Sequence, residues 1–301
     1  MGSSASEIIV IGGPTASGKS AWALELARRL NGEIISADSM QVYRGLEIGT
    51  AQPTPEEQQE IPHHLVGCFE LTQRWDASRF VPVAEKLIAQ IRERGRVPIV
   101  VGGTGMYLKA LCYGMAMLPS DPLIAQEMRA LLLTPEGIAS LRDELRRGVG
   151  EAEIPADLWA NPRRVARAVE VLRITGKPPW LLQPAKLAPR DGFRQFCIIP
   201  NFDWLKERIR RRTACMLEAG WVEEALCAVH NGLLETPTAW QALGYRDIAE
   251  FTQHGSIGGQ DALAELLANR TIQYARRQIT WFKHQHPGAT LVDETHSTDL
   301  A

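Results

Sequence analysis

Ile8-Ile-Val-Ile-Gly-Gly-Pro-Thr-Ala-Ser-Gly-Lys-Ser20 is the stretch on which the fold turns. Its first part, entered from Glu7, is a short apolar, β-branched run that ends in glycine, the pattern of a strand buried on both faces and central in a parallel sheet. Its second part contains G-x-x-x-x-G-K-[ST] from Gly13 to Ser20. Behind it, Trp22, Leu26 and Leu30 recur every four residues beside Ala23 and Ala27, which predicts a helix over Lys19–Leu30 that stops at Asn31-Gly32. Strand, loop and helix in that order distinguish a phosphate-binding loop from an ordinary glycine-rich turn. Gly13, Pro14, Thr15, Ala16, Ser17, Gly18, Lys19 and Ser20 are therefore expected to wrap a phosphate group. The glycines let successive N–H groups turn inward, the helix N-terminus adds positive potential, Lys19 supplies a point charge and Ser20 offers a hydroxyl to Mg²⁺.

Working outward, Glu33-Ile-Ile-Ser-Ala-Asp38 and Arg96-Val-Pro-Ile-Val-Val-Gly-Gly103 read as further strands, with more candidates at His64–Phe69, Phe196–Ile199 and Thr290–Val292. Strands alternating with helices predict an α/β fold, a P-loop NTPase-like parallel sheet flanked by helices. From about Asp121 the texture changes to charged, helix-like segments interrupted by Pro122, Pro135, Pro155, Pro162, Pro178 and Pro179, with no β-branched run. This predicts a mainly helical insertion domain over 121–190, between a first part of the core at 1–120 and a second at 191–301.

Apolar residues at 45% and charged residues at 23% exclude a disordered or fibrous chain. A formal net charge of −2 gives no global argument for nucleic-acid binding, so local clusters must decide. Five cysteines lie far apart with no C-x-x-C pair, which argues against a zinc knuckle or disulfide framework and predicts buried, reduced thiols. No run approaches the ~20 apolar residues of a membrane span, so no membrane association and a cytoplasmic location are expected. Met1-Gly2 with Ser6 fits the loose myristoylation pattern, but the strand beginning at Glu7 argues against lipidation. His63-His64 invites a metal reading; adjacent histidines point in different directions, and a structural role is expected.

A P-loop specifies phosphate and leaves the reaction open, because kinases, ATPases and GTPases share it. Asp38 lies just beyond the second strand, at the sheet edge where the P-loop opens. Its carboxylate could accept a proton from a nucleophile, help hold Mg²⁺, or cap the next turn. Basic residues gather in three segments: Arg163, Arg164, Arg167, Arg173 and Lys177; Lys206, Arg208, Arg210, Arg211 and Arg212; and Arg276, Arg277 and Lys283. Each alone reads as a solvated helix face.

Seven blocks, in order, resemble the signatures of tRNA dimethylallyltransferases: Gly13–Ser20, Asp38-Ser-Met-Gln-Val-Tyr-Arg-Gly-Leu-Glu-Ile-Gly-Thr-Ala-Gln-Pro53, Pro62-His-His-Leu65, Val101-Gly-Gly-Thr-Gly-Met-Tyr-Leu108, Asn161-Pro-Arg-Arg-Val-Ala-Arg-Ala-Val-Glu170, Gln241-Ala-Leu-Gly-Tyr-Arg246 and Arg277-Gln-Ile-Thr-Trp281. The resemblance implies transfer of a dimethylallyl group from dimethylallyl diphosphate to N6 of adenosine 37 in the anticodon stem-loop of tRNA, with Mg²⁺ as cofactor. It implies Asp38 as general base, Thr104 as a contact to the diphosphate bridge, and Arg246 with the P-loop as diphosphate ligands. Thr104 could equally cap the helix that follows it. For tRNA the matched positions are Asp38, Ser39, Met40, Gln41, Arg163, Arg164, Arg167, Gln241, Gly244, Tyr245, Arg246, Arg276, Arg277, Gln278, Trp281 and Lys283.

Chemistry agrees with that implication, since an exocyclic amine needs a base and a stacked adenine must be flipped out to reach a buried cavity. Met40 stands where the family pattern usually has arginine, Ala125 also replaces a common arginine, and the segment after Pro119 is about one residue short. Two rivals share the P-loop: a small-molecule kinase and a nucleotide-dependent RNA-binding switch. A third, prenylation of free AMP, would need no extended basic surface. A monomer is expected.

Overall fold

The computed structural model describes residues 7–114, 118–182, 188–253 and 259–293. The myristoylation pattern at Met1-Gly2 and Ser6 lies outside them. The chain divides into two compact units, one formed by residues 1–114 with 188–301 and the other by 115–187.

The first unit is built on six parallel strands: β1 (Ile8–Gly12), β2 (Gly32–Ser36), β3 (His63–His64), β4 (Val97–Gly102), β5 (Phe193–Ile198) and β6 (Thr290–Val292), in the order β3-β2-β4-β1-β5-β6. β1 is buried at every residue, as its unbroken apolar run requires. Between and beyond the strands run α1 (Lys19–Leu30), α2 (Pro55–Glu60), α3 (Ala77–Glu93) and α4 (Gly105–Tyr113). Helix α1 packs Trp22, Ala23, Leu26 and Ala27 into a cluster with Ile9, Ile11, Ile34, Ile99, Phe196 and Ile198. It ends at Asn31, in left-handed geometry with φ 52°, where the asparagine-glycine pair predicts a stop.

The strand expected over His64–Phe69 is only two residues long. Leu65 takes a left-handed φ of 62°, which turns the chain away from the sheet, and only an isolated bridge from Tyr43 to Phe69 continues the pairing. The adjacent histidines serve structure. The His63 ring Nδ1 lies 2.7 Å from the carbonyl of Ile61, and the His64 ring Nε2 lies 2.6 Å from Glu33 Oε2. Among the described residues no group of three or more His, Cys, Asp or Glu could hold a metal ion.

The second unit is helical: α5 (Pro122–Leu131), α6 (Pro135–Val149), α7 (Pro162–Thr175) and α8 (Pro179–Leu182), with short 3₁₀ turns between. Prolines that look like breaks in the sequence sit at the first position of α5, α6 and α7, where no N–H is needed, and Asp121, Thr134 and Asn161 cap those helices through their side chains. Leu141, Leu145, Leu158, Val165 and Val169 form its own core.

The chain then returns to the first unit as α9 (Phe202–Glu218), α10 (Trp221–His230), α11 (Tyr245–Gln253) and α12 (Gly259–Gln285). All five cysteines are free thiols, but only Cys112 and Cys197 are buried; Cys68, Cys215 and Cys227 are exposed. For the last two, the reason is their place on the outward faces of α9 and α10. Among the described residues no helix is long and apolar enough to cross a membrane.

Glu33, on β2, is a buried carboxylate that takes two hydrogen bonds from Arg94 (3.0 and 2.7 Å), one from His64 and a longer one from Arg96 (3.4 Å). Burial pushes its carboxyl up, but the bonds from Arg94 and His64 outweigh that and hold it below the usual carboxylate range. The stabilisation is therefore present at neutral pH and lost as pH falls through the depressed folded-state value. Because the two arginines are roughly half exposed, Glu33→Gln is expected to cost about 1–2 kcal/mol in urea unfolding at pH 7. The deficit should shrink when unfolding is repeated below the normal carboxylate range; a deficit constant across pH would contradict this account.

Candidate active site

β1, β4 and β2 are neighbours, so the loops leaving their carboxyl ends lie side by side. The loop after β1 bends through two left-handed residues, Ala16 (φ 62°) and Gly18 (φ 92°), with Ser17 N–H donating to the carbonyl of Pro14. Gly18 caps α1 without any side chain, which leaves the first amides of that helix turned toward the loop's hollow. Lys19 folds back over the loop and donates to the carbonyl of Pro14 at 3.1 Å.

Two helices hold this loop from outside. α9 and α12 pack Leu205, Ile209, Ala268, Ile272 and Ala275 together, and Ala16 of the loop joins that cluster. One turn apart on the same face of α9, Arg208 donates to the carbonyl of Ala16 at 3.1 Å and Arg212 to the hydroxyl of Thr15 at 2.6 Å. From α12, Gln278 accepts the N–H of Thr15 at 2.9 Å. Burial, and then the charge of Arg212, pulls the Lys19 ammonium down to about 8, while Asp38 opposes the shift. Burial likewise lowers Arg212, with Asp38 opposing and Arg208 adding to the shift.

With β4 between β1 and β2, the Asp38 segment lies on the same edge of the sheet as the P-loop, and its charge opposes the shift of both cations. Its Oδ1 accepts N–H groups from Met40 (2.9 Å) and Gln41 (3.3 Å), so the residue does cap its own turn. Among the described residues Oδ2 has no hydrogen-bond partner, and it remains the oxygen that can take a proton. Thr104 occupies the N-cap of α4, yet its hydroxyl makes no cap bond. It turns instead to the Asp38 segment, accepting Ser39 N–H at 3.0 Å and donating to Ser39 Oγ at 3.3 Å. The approach is close because position 102 is glycine: a Cβ there would lie 2.1 Å from the carbonyl oxygen of Ala37. Cradle, carboxylate and hydroxyl therefore share one wall of the sheet.

A family model described as IPP transferase matches residues 41–285, and one described as isopentenyl transferase matches residues 6–65. The chain belongs to the IPP transferase family. It is 41% identical over 286 residues to a tRNA dimethylallyltransferase of Thermus thermophilus, covering 93% of this chain and 90% of the relative. A tRNA dimethylallyltransferase of Deinococcus radiodurans is also 41% identical, over 302 residues, covering 98% and 94%. Among solved structures it resembles a full-length tRNA isopentenylpyrophosphate transferase of Bacillus halodurans (33% identity, TM-score 0.67, 96% of this chain and 90% of that one). It also resembles a eukaryotic dimethylallyltransferase captured acting on tRNA (27% identity, TM-score 0.76, 98% and 75%).

In this IPP transferase several residues matched by sequence do other work than expected. Gln41 turns its amide inward: its Oε1 accepts from Ser36, and its Nε2 donates to the carbonyls of Thr50 and Ala51, so it shapes the loop after Asp38 and offers no free base-reading edge. Tyr245 is buried, with its hydroxyl on Glu224, whose carboxylate also receives the N–H groups of Ile48 and Gly49. Gly244 admits an indole ring of the protein itself, since a Cβ there would lie 2.5 Å from Trp221. Tyr245 and Gly244 thus dock the 46–51 turn onto α10. Trp281 is half-buried against Gly105, and Gln278 is buried.

Arg246, matched to the diphosphate, is exposed on the first turn of α11 with its guanidinium over Trp240. Besides Lys19, Arg208 touches the P-loop backbone and Arg212 the hydroxyl of Thr15; both lie in the one basic segment that matched no signature. Gln241, Arg276, Arg277 and Lys283 are exposed, and Ser39 and Met40 half-buried. Arg276 lies over Phe202 and Arg277 over Tyr274. In the helical unit, Arg163 is exposed, Arg164 pairs with Asp157, and Arg167 is held by the buried Glu170 and the carbonyl of Leu118. Ser20, exposed on the first turn of α1, and Asp38 offer the hard oxygen donors that Mg²⁺ prefers.

Because Lys19 titrates near 8, anion affinity should depend on pH in a defined direction. Titrating inorganic pyrophosphate into the native enzyme and into Lys19→Arg in metal-free buffer with chelator, the ionisation of pyrophosphate itself cancels in the ratio of native to variant Kd. That ratio is expected to hold steady below the Lys19 value and to rise by up to about tenfold per pH unit above it, because native binding then requires proton uptake at Lys19. A ratio independent of pH would assign the pH dependence to another group.

Proposed function

We propose that this chain transfers the dimethylallyl group of dimethylallyl diphosphate to N6 of adenosine 37 in the anticodon stem-loop of tRNA, releasing diphosphate. The observation that carries the reading is the pairing of an anion cradle with a carboxylate whose charge reaches Lys19 and Arg212, in a chain akin to enzymes named for this transfer. A kinase would also need the cradle. It would not need the extended kinship over nearly the whole chain.

In this mechanism the backbone amides at the start of α1, Lys19, Arg208 and Arg212 hold the diphosphate and stabilise the charge that gathers on it as the allylic C–O bond breaks. Asp38 Oδ2 takes the proton from the N6 amine while nitrogen forms its bond to carbon. Thr104, already turned toward the Asp38 segment, is placed to contact the oxygen that bridges diphosphate and the dimethylallyl carbon. The acceptor base reaches these groups by flipping out of its stack. Ser20 would hold Mg²⁺, with Asp38 assisting through its charge while Oδ2 stays free for the proton; the ion would supply charge neutralisation on the leaving diphosphate. Arg163, Gln241, Arg246, Arg276, Arg277 and Lys283 would meet RNA phosphates or bases, a reading supported by their exposure.

Asp38→Asn separates the two duties of that residue, because an amide oxygen keeps the bonds from Met40 and Gln41 while no longer accepting a proton. Turnover is expected to fall by roughly 10²- to 10⁴-fold with tRNA affinity nearly unchanged. Mass spectrometry of tRNA incubated with dimethylallyl diphosphate should show one isopentenyl adduct per molecule with the native enzyme. Normal turnover in the variant would remove Asp38 from the role of base.

A further inference from the structure

Helix α12 buries Leu267, Ala268, Thr271, Ile272, Ala275 and Phe282, and in the middle of that apolar stripe sits a primary amide, Gln278, only 6% exposed. A buried amide surrounded by hydrocarbon is costly unless both ends are bonded. Here both are: Oε1 accepts the N–H of Thr15 at 2.9 Å, and Nε2 donates to the carbonyl of Gly103 at 2.9 Å. The partners fix which end is which, since one is a donor and the other an acceptor. Position 103 is matched to this contact, because a Cβ there would stand 2.6 Å from Gln278 Nε2.

Thr15 belongs to the cradle and Gly103 to the turn that carries Thr104, whose hydroxyl in turn holds Ser39 beside Asp38. We infer that Gln278 is a positioning residue, a bracket that fixes the distance between the diphosphate cradle and the Thr104–Asp38 wall and so aligns leaving group and acceptor. It touches neither substrate; its effect passes through the two loops it joins. The inference rests on the transfer reading above, and it predicts a loss in the chemical step larger than any loss in binding.

Two variants test it in the full-length enzyme with tRNA and dimethylallyl diphosphate. Gln278→Met keeps length and burial but removes both polar atoms; kcat should fall about 10- to 100-fold while KM for the donor moves far less. Gln278→Glu is nearly isosteric, and when protonated its carboxyl again offers one acceptor and one donor. The ratio of its kcat to that of the native enzyme should therefore climb as pH is lowered from 8 toward 5.5. Lys19, Asp38, Arg208, Arg212 and Tyr274 surround this bracket, and Tyr274 bonds Gln278 itself; the pH profile of Gln278→Met, which loses the amide without gaining a carboxyl, is the control for their own titration.

A residue that only stabilised the fold would lower the melting temperature in both variants without that recovery. Hydrogen exchange supplies a readout that needs no turnover: in Gln278→Met the amide of Ser39, two contacts removed from the substitution, should exchange faster. Native-like kcat in Gln278→Met, a pH-independent ratio in Gln278→Glu, or unaltered exchange at Ser39 would each overturn the bracket. A native enzyme that transfers nothing would refute the transfer reading itself, and the exchange result would still decide the bracket.

Discussion

Like charges crowded against one short turn of backbone are the constraint around which the core unit is arranged. Lys19, Arg208 and Arg212 converge on residues 14–16; burial lowers the Lys19 and Arg212 values, and the charge of the neighbouring guanidinium adds to each shift. Such a cluster persists only if the scaffold holds it. The scaffold consists of the packed α9–α12 pair, the buried stripe that carries Ala16 into that pair, and the central strand from which the loop springs. In return the cluster is pre-oriented toward an anion, so little reorganisation remains when a diphosphate arrives.

Sheet order then determines what chemistry that anion can undergo. With β4 between β1 and β2, the turn bearing Thr104 stands between the cradle and Asp38 and touches both sides, through Gly103 to Gln278 and through Thr104 to Ser39. A carboxylate felt electrostatically at the cradle, yet separated from it by one loop, leaves room for a carbon centre between leaving group and base. In the proposed transfer the cations would draw charge toward the diphosphate and the carboxylate would receive the proton at the other end. The same P-loop without such a partner would say only that phosphate binds.

How much of this could be read from the sequence follows from the range of each interaction. The strand, the loop and α1 are contiguous, so their pattern sufficed for the sheet and for the course of the loop, and the position of Asp38 just beyond β2 followed from the second strand. Contacts that cross from Thr15 to Arg212 or Gln278 span 197 and 263 residues and leave no local periodicity. Signals for them did exist: two arginines one turn apart beside buried Leu205 and Ile209, and a lone amide in the apolar stripe of α12. Conversely, the matched block Gln241–Arg246 drew attention to Tyr245 and Gly244 for a partner, whereas both face Glu224 and Trp221 within the protein. Motif matching marks where constraint lies; burial decides whether the constraint serves the fold or a ligand.

Met40 illustrates the distinction. Its backbone N–H supplies one of the two bonds that hold Asp38 Oδ1, a contribution any residue other than proline can make. The side chain is half-buried and takes no part in that turn. Methionine in place of the family's usual arginine therefore leaves the geometry of the base untouched and removes a positive charge only from the approach to it. On the proposed reading, catalytic geometry rests on the backbone and Oδ1 of this short segment and any contact to RNA on its side chains. That separation would let the recognition surface vary while the proposed proton acceptor stays fixed by the same two backbone bonds.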